Sequence, residues 1–241
     1  MGIITIIYGV ILAYFLLGAI GFYMINRKRE KAVARKSWIK YIVYFFIINL
    51  LFFSIVVQPL VFRLLAAIII TMGVAEMIVL YRKNHFTQSG FFVLSILLYL
   101  ILAAGFWNFS GARMELILFT FIILSIFDAF SQISGQLWGK TKIVPQISPN
   151  KTIGGTVGGV VIALASAFLL RGLNTGSTGE TLVMAAGIIF FAFIGDISAS
   201  YYKRRFNVKD YSNMIPGHGG FLDRFDSLIA GGAWVALFLY I

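Results

Sequence analysis

The sequence contains no cysteine, and only 12% of its 241 residues are charged. The absence of cysteine excludes a disulfide framework, a zinc–thiolate site and a thiol nucleophile. A soluble globular domain would carry about a quarter of its residues as charges, so the scarcity of charge excludes that class. Because 60% of the residues are hydrophobic and the mean hydropathy is +0.92, disordered chains and collagen-like fibres are excluded too. Only a lipid bilayer can cover this much apolar surface.

Long apolar segments recur along the whole chain. A spanning helix needs about 20 mainly apolar residues, so we expect an all-α, polytopic bundle of about eight transmembrane helices. The first segment is too long for the apolar core of a signal peptide, and a basic run follows it, so we expect a retained anchor. The predicted spans are Ile3–Ile25, Tyr41–Val57, Leu64–Tyr81, Phe91–Phe106, Leu116–Leu137, Ile153–Leu170, Leu182–Asp196 and Phe225–Ile241.

The basic residues are distributed unevenly between the loops. The chain has 20 Lys and Arg against nine Asp and Glu, and seventeen of the 20 fall in one set of alternate loops. Since basic loops stay cytoplasmic, the pattern predicts that both termini lie outside. Topology and anionic lipid then explain the net charge of +11, so no nucleic-acid partner is expected. The two long polar segments, 138–152 and 197–224, fall on the cytoplasmic side, where we expect the active site.

One predicted span carries a polar stripe. Asp128 is followed by Ser131, Gln132 and Gly135 at helical spacing, which places all four on one face. Charge inside a membrane is costly and is therefore a candidate for function. The stripe predicts the lining of a wet cavity, with hydrogen bonding between helices as the alternative.

Two more acids lie in or at the edge of predicted spans. Glu76 precedes Arg82 and Lys83 near the inner end of its span, which predicts a structural ion pair. Asp196 is predicted to end the seventh span at the cytoplasmic boundary. Simple solvation would explain Asp196 alone, but the polar segment that follows makes it a candidate for chemistry.

The first cytoplasmic segment contains Ser148, Pro149, Lys151 and Thr152. Serine followed by proline is typical of a helix start, so the pattern predicts a helix beginning at Ser148. The free N–H groups and positive dipole end of such a helix, with Lys151 and Thr152 in its first turn, would cradle a phosphate. A plain helix cap is the alternative.

Glycines follow this segment at spacings of four. Gly154 and Gly158 form one small-xxx-small pair, and Gly155 and Gly159 form another. Pairs of this kind allow two membrane helices to pack closely. Close helix packing is therefore the predicted role of these glycines.

The second cytoplasmic segment combines cations, a flexible turn and carboxylates. Lys203, Arg204 and Lys209 predict a cationic cluster for phosphate, although an inside-positive loop would show the same residues. Residues 216–220, Pro-Gly-His-Gly-Gly, predict a turn whose backbone approaches a ligand closely, with a simple turn as the alternative.

Two carboxylates stand at the head of the last span. Asp223 and Asp226 are three residues apart, which places them on one helical face. Magnesium is a hard ion that takes carboxylates together with substrate phosphates. Carboxylates beside phosphate-binding cations therefore suggest a magnesium site.

Residues 200–226 resemble the signature of the phosphatidate cytidylyltransferase (CDP-diacylglycerol synthase) family, S-x-x-K-R-x4-K-D-x-[GSA]-x2-[LIF]-[PG]-x-H-G-G-x-x-D-R-x-D. Residues 148–152 are similar to the family's S-P-x-K-T element. Tyr202 stands where the family usually has an aliphatic residue or Phe, and Gly154 stands where it usually has an acid. The matching positions are Ser200, Lys203, Arg204, Lys209, Asp210, Ser212, Ile215, Pro216, His218, Gly219, Gly220, Asp223, Arg224 and Asp226.

The resemblance implies that CTP and phosphatidate, a lipid phosphate from the bilayer, give CDP-diacylglycerol and pyrophosphate. It implies that Asp196 and Asp223 hold Mg²⁺, with a second cation such as K⁺, and that Lys203 and Asp226 join them in catalysis. Family members are often dimers, so a homodimer is one expectation. The substrate-binding residues implied by the resemblance are Ser148, Lys151, Thr152, Ser200, Arg204, Lys209, His218, Gly219, Gly220, Arg224 and Asp128.

The sequence predicts a division of roles along the chain. Residues 1–115 form the N-terminal membrane helices, and residues 116–241 form the catalytic membrane region. One alternative function is a related CTP-dependent enzyme for an isoprenoid lipid, either a CDP-archaeol-type synthase or a polyprenol or phytol kinase. Another is an ion-coupled transporter, which would leave the cytoplasmic signature unexplained and for which no internal repeat is found.

Overall fold

The computed structural model of the chain describes residues 2–27, 30–174 and 176–240. The described residues are mostly helical, as expected for an all-α membrane bundle. Lys28 and Arg29, two of the seventeen basic residues counted above, and Ile241, the end of the last predicted span, lie outside the described residues. The helices of the described part are α1 (Gly2–Asn26), α2 (Lys31–Val57), α3 (Pro59–Lys83), α4 (Ser89–Phe109), α5 (Met114–Trp138), α6 (Ile153–Leu169), α7 (Thr178–Arg205) and α8 (Leu222–Phe238).

Five of these helices, α2, α3, α4, α5 and α7, are long and apolar enough to cross a membrane. On α4, Leu94, Leu97, Leu98 and Ile101 form an exposed apolar stripe at helical spacing, as expected for a lipid-facing surface. The protein is therefore a multi-pass membrane protein. Helices α6 and α8 have 17 residues each, or about 26 Å at 1.5 Å per residue. Eight spans and outside termini stay predictions.

One hydrophobic core joins the two halves of the chain. Phe52 and Phe62 of the first 115 residues are buried in the same cluster as Phe119 and Ile188 of the remainder. Within it, α5 packs along α6 and α7 packs along α8. The division of roles at residue 115 stays a prediction, but the two halves share their packing.

The paired glycines of α6 lie against α5, as predicted. A Cβ atom on Gly155 would stand 2.6 Å from the carbonyl oxygen of Ser131, and one on Gly154 would stand 2.8 Å from that of Trp138. These distances are shorter than van der Waals contact with backbone atoms that cannot move independently. The packing also explains why Gly154 carries no acid: a glutamate there would displace the end of α5.

Replacing Gly159 with alanine should destabilise the fold by about 1–3 kcal/mol, because extra atoms in a packed interface force backbone shifts. Its Cβ would stand 2.9 Å from the carbonyl oxygen of Phe127. Thermal unfolding in detergent micelles measures the loss. Gly90→Ala on α4 is the matched control, since a Cβ there meets nothing within 4 Å. Equal melting temperatures for the two variants would contradict close packing at Gly159.

A short hairpin replaces the predicted helix start at Ser148. Strand β1 (Lys142–Val144) pairs antiparallel with β2 (Ser148–Thr152), and α6 begins at Ile153. The N-cap is Thr152, whose Oγ1 accepts a hydrogen bond of 3.1 Å from the N–H of Gly155. The prediction that Ser148 caps a helix, with Lys151 in its first turn, is therefore wrong. Serine and threonine can both cap a helix, so Ser148 and Thr152 are both possible starts. Because residues 148–152 pair in strand β2, the helix begins after Thr152.

Candidate active site

A cavity of about 560 Å³ opens where α2, α5, α7, α8 and the hairpin meet. Part of its lining is apolar and includes Ile47 and Leu51 of α2 and Leu124 of α5. The other part is polar and charged. It is formed by Asp128, Ser131, Gln132, Ser148, Asn150, Lys151, Thr152, Asp196, Asp223, Arg224, Asp226 and Ser227.

The polar stripe of α5 faces this cavity. Asp128, Ser131 and Gln132 line it, so the cavity interpretation is confirmed for these three residues. The Oγ of Ser131 is buried without a hydrogen-bond partner in the described structure. Gly135 instead packs on Gly155 of α6. The Ser131 hydroxyl lies against Gly159 of α6, where a Cβ atom would stand 2.0 Å from it.

Asp196 lies within α7, which continues as a helix to Arg205, beyond the predicted end of the seventh span. That the span ends at Asp196 stays a prediction. Its Oδ2 is 2.5 Å from the Nζ of Lys151 on β2, and its Oδ1 accepts from Ser200 Oγ at 3.4 Å. The Lys151 ammonium also lies 4.5 Å from the centre of the Phe193 ring. The hairpin thus brings a cation to the acid on α7, and both side chains remain partly accessible from the cavity.

Asp223 is held more tightly than Asp196. Its Oδ1 is 2.5 Å from the Nζ of Lys203, and its Oδ2 accepts hydrogen bonds of 2.8 Å from the backbone N–H groups of Tyr211 and Gly220. The Asp223 side chain is only 1% exposed. The Lys203 ammonium lies 5.4 Å from the centre of the Tyr211 ring. Asp223 therefore joins α7, the loop 206–221 and the start of α8.

The aromatic ring of Tyr211 lies beside the pair formed by Lys203 and Asp223. Burial, followed by the negative charges of nearby carboxylates, raises the pKa of Tyr211 well above its usual value. The phenol therefore stays protonated, and it donates a hydrogen bond of 3.2 Å to the carbonyl oxygen of Ala199. This bond fixes the loop against α7.

The glycines of the turn allow a carboxylate to approach. Gly219 has a φ of 82°, in the region that favours glycine. A Cβ atom there would stand 2.7 Å from Oδ2 of Asp223 and 3.1 Å from the Cβ of Asp210. The backbone of this turn thus approaches the protein's own acids closely, and its approach to a ligand stays a prediction.

A second cavity of about 370 Å³ lies beside the turn. It is lined by the cations Lys40, Lys209 and Arg224, together with His218 and Asp210. Three positive side chains against one carboxylate make this cavity suited to an anion. Because Arg224 lines both cavities, they are adjacent.

His218 closes the turn over α2. Its ring stacks on that of Tyr44, with 6.3 Å between centroids and 11° between planes. Burial, with the positive charges of Arg224 and Lys40, lowers the pKa of His218 below its usual value. His218 is therefore neutral at pH 7, and a hydrogen-bonding role is favoured over a charged one.

The predicted cluster of Lys203, Arg204 and Lys209 is not a single cluster in the structure. Lys203 pairs with Asp223, whereas Arg204 donates to the carbonyl oxygens of Ile147 at 3.2 Å and Val208 at 3.0 Å. Only Lys209 faces the second cavity. Successive residues of a helix point about 100° apart, which separates the neighbours Lys203 and Arg204. Arg204 braces the hairpin against the end of α7.

Three polar residues of the first 115 reach the site or its loop and were missed as site residues. Lys40 lines the second cavity, Tyr44 lines the first, and the Glu76 carboxylate contacts the loop and the start of α8. Glu76 forms no salt bridge in the described part of the chain, so the predicted ion pair with Arg82 or Lys83 is wrong. The unusual position of an acid inside an apolar span was the available signal for Glu76.

The donor set fits a magnesium ion that shares its coordination with a substrate. Among the described residues, no group of three or more Asp, Glu or His side chains could hold a metal by itself. Magnesium usually takes one or two carboxylates and completes its shell with phosphates and water. Asp196 and Asp226 line the same cavity, and their charges interact. Asp223 could join only by releasing Lys203, so its pairing with Asp196 at a metal stays a prediction.

Comparison with known proteins places the site in a family. Residues 107–241, more than half of the chain, match the model of the cytidylyltransferase family. A phosphatidate cytidylyltransferase of Haemophilus influenzae is 35% identical over 131 residues, which cover 52% of this chain and 46% of that protein. One of Staphylococcus haemolyticus is 36% identical over 154 residues, 61% of this chain and 58% of that protein.

A phosphatidate cytidylyltransferase of Brucella suis is 37% identical over 123 residues, 51% of this chain and 46% of that protein. The matched region thus spans about half the length of these curated relatives. It includes Asp128, Lys151, Asp196, Lys203 and Asp223, which the structure brings to one place. The chain belongs to the cytidylyltransferase family.

Proposed function

We propose that the protein is a membrane nucleotidyltransferase that makes CDP-diacylglycerol and pyrophosphate from CTP and phosphatidate. The observation that carries the proposal is the cavity whose lining combines apolar side chains with carboxylates and cations. Such a cavity suits a lipid phosphate, whose chains are apolar and whose head is charged. The relatives' names support the same activity.

The adjacent cationic cavity suits the triphosphate of CTP. Lys40, Lys209 and Arg224 would neutralise its charge from three different elements. Lys151, in the large cavity, would neutralise the lipid phosphate. Because Arg224 lines both cavities, it would contact both substrates. The positive-inside distribution supports a site open to the cytoplasm, where CTP is found.

The reaction needs little acid–base chemistry from the protein. A phosphate oxygen of the lipid would attack the α-phosphorus of CTP, a new P–O bond would form, and the bond to the bridging oxygen of the β-phosphate would break. Pyrophosphate would leave with the electron pair. A phosphate monoester is already anionic at pH 7, so positioning and charge neutralisation are the main requirements.

A bound magnesium ion would neutralise negative charge on the reacting phosphates. We propose Asp196 and Asp226 as its protein ligands, since both line the cavity and both are only partly buried, whereas the Asp223 side chain is 1% exposed. Asp223 would meanwhile hold Lys203 and the loop in place. A second cation, such as K⁺, and a homodimer remain expectations from the family resemblance.

Radiolabelled CTP tests the proposed reaction directly. With phosphatidate in detergent micelles, label from the α-phosphate should enter the lipid while an equal amount of pyrophosphate is released. Diacylglycerol without its phosphate is the control and should receive no label. Transfer of the γ-phosphate to lipid, or no transfer from either position, would overturn the proposal.

Removing the cation on α2 tests the nucleotide site. We expect Lys40→Ala to weaken CTP binding about tenfold, because one charged hydrogen bond to phosphate is lost. Isothermal titration in micelles measures the change. Lys31→Ala, which removes an exposed lysine of the same helix that lines neither cavity, is the matched control. Equal affinities for the two variants would remove Lys40 from the site.

A further inference from the structure

Glu76 of α3 is a buried carboxylate that binds the signature loop from outside the catalytic half. It is 4% exposed. Its Oε1 accepts hydrogen bonds from Ser212 Oγ at 2.6 Å and the Phe221 N–H at 2.9 Å, and its Oε2 accepts from the Leu222 N–H at 2.8 Å. Within the described residues it forms no salt bridge. Its charge is therefore compensated by three hydrogen-bond donors instead of a cation.

Two of these donors belong to the N-terminus of α8. The first N–H groups of a helix have no partner inside the helix, and the positive dipole end favours an anion. The residue that precedes α8, Phe221, offers no side-chain cap. Glu76 supplies the missing acceptor from another helix.

The chain gives Glu76 the space to reach this position. A Cβ atom on Gly220 would stand 2.7 Å from the carboxyl carbon of Glu76. Beside Glu76, Met77 accepts a hydrogen bond of 3.0 Å from the phenol of Tyr202 on α7. One turn of α3 is thus fixed both to α7 and to the start of α8, so its position is well defined.

The groups that Glu76 holds are neighbours of the reacting region. Leu222 directly precedes Asp223, and the N–H of Gly220 is bound by Asp223 itself. Two carboxylates, Glu76 and Asp223, therefore hold the same turn of backbone from two sides. A shift of this turn would move Asp223, and with it Lys203, relative to Asp196.

We propose that Glu76 is a positioning residue. It fixes the loop 211–222 and the start of α8, so that the carboxylates and cations of the cavity keep their relative positions. The proposal rests on the proposed function, and it assigns to the N-terminal helices a part in catalysis. Glu76 does not face either cavity, so it contacts no substrate and acts through the backbone.

Glu76→Gln is the main test, because glutamine keeps the size but turns one acceptor into a donor facing N–H groups. We expect kcat to fall about 10- to 100-fold, as displacements of about 1 Å at a site cost this much, while KM for CTP changes less than threefold. Hydrogen exchange of the peptide 211–222 should become faster. Normal kcat in folded Glu76→Gln would overturn the proposal.

Ser212→Ala is the graded companion variant, since it removes one of the three donors and leaves both backbone bonds. We expect a two- to fivefold fall in kcat, and this variant carries the test if Glu76→Gln does not fold. An unchanged kcat for Ser212→Ala in that case would overturn the proposal. If the wild-type protein transfers no cytidylyl group, the proposed function fails, and unchanged exchange at 211–222 in the variants would then overturn the role of Glu76 separately.

Discussion

Replacing Asp223 with asparagine should reduce cytidylyl transfer about a thousandfold and also destabilise the fold by about 3–5 kcal/mol. The destabilisation follows because Lys203, 8% exposed, would be left as an uncompensated buried charge. The loss of activity follows because the variant removes a cavity carboxylate and leaves Lys203 without its partner. Transfer from α-labelled CTP and thermal unfolding in micelles measure the two effects.

The double variant Lys203→Met with Asp223→Asn separates these two effects. It removes both charges, so no buried ion is left unpaired, and most of the lost stability should return. The amide oxygen of the introduced asparagine can still accept from the backbone N–H groups of Tyr211 and Gly220. Activity should not return, because the charges are missing. Recovery of both stability and activity in the double variant would show that the pair serves the fold alone.

Replacing Asp196 with asparagine should lower the transfer rate strongly but destabilise the fold only slightly. We expect a loss of about 100- to 1,000-fold in transfer rate and a loss of at most about 1 kcal/mol in stability. The Asp196 and Lys151 side chains are 36% and 19% exposed, so water can replace the broken ion pair. The rate should fall because the carboxylate proposed to hold magnesium is lost and Lys151 is no longer held in position.

Glu115→Gln provides the matched control for Asp196→Asn. It neutralises an exposed acid in the first turn of α5, about 20 Å along that helix from Asp128. Its transfer rate should equal that of the wild type. If Asp196→Asn were as active as Glu115→Gln, then Asp196 would have no part in the reaction.

The apolar segments and the signature were sufficient to predict most of the architecture. Helix-forming apolar runs are local in the chain, so all eight predicted segments are helices in the described structure. The glycine pairs of α6 predicted close packing because their spacing alone defines a face. The carboxylates of the signature were likewise placed together, since Asp223 and Asp226 both line one cavity.

Features that depend on long-range contacts could not be predicted. The helix start at Thr152 depends on pairing between β1 and β2, which the Ser148-Pro149 pattern does not reveal. The hydrogen bonds of Glu76 join residues 136 to 146 positions apart. Arg82 and Lys83 are near Glu76 in sequence but do not pair with it in the described structure. The direction of the Glu76 side chain on α3 decides which groups it contacts. Because the partners of Glu76 are distant in sequence, its contacts with the loop could not be predicted. For the same reason the sequence predicted no part in catalysis for the N-terminal helices.

We propose that the two adjoining cavities hold the two substrates. A structure of the protein with a non-hydrolysable CTP analogue and a phosphatidate is the decisive test of this proposal. We expect the triphosphate within hydrogen-bonding distance of Lys40, Lys209 and Arg224, and the lipid phosphate beside Lys151 in the large cavity. A nucleotide bound away from all three cations, or a lipid phosphate excluded from the carboxylate-lined cavity, would contradict it.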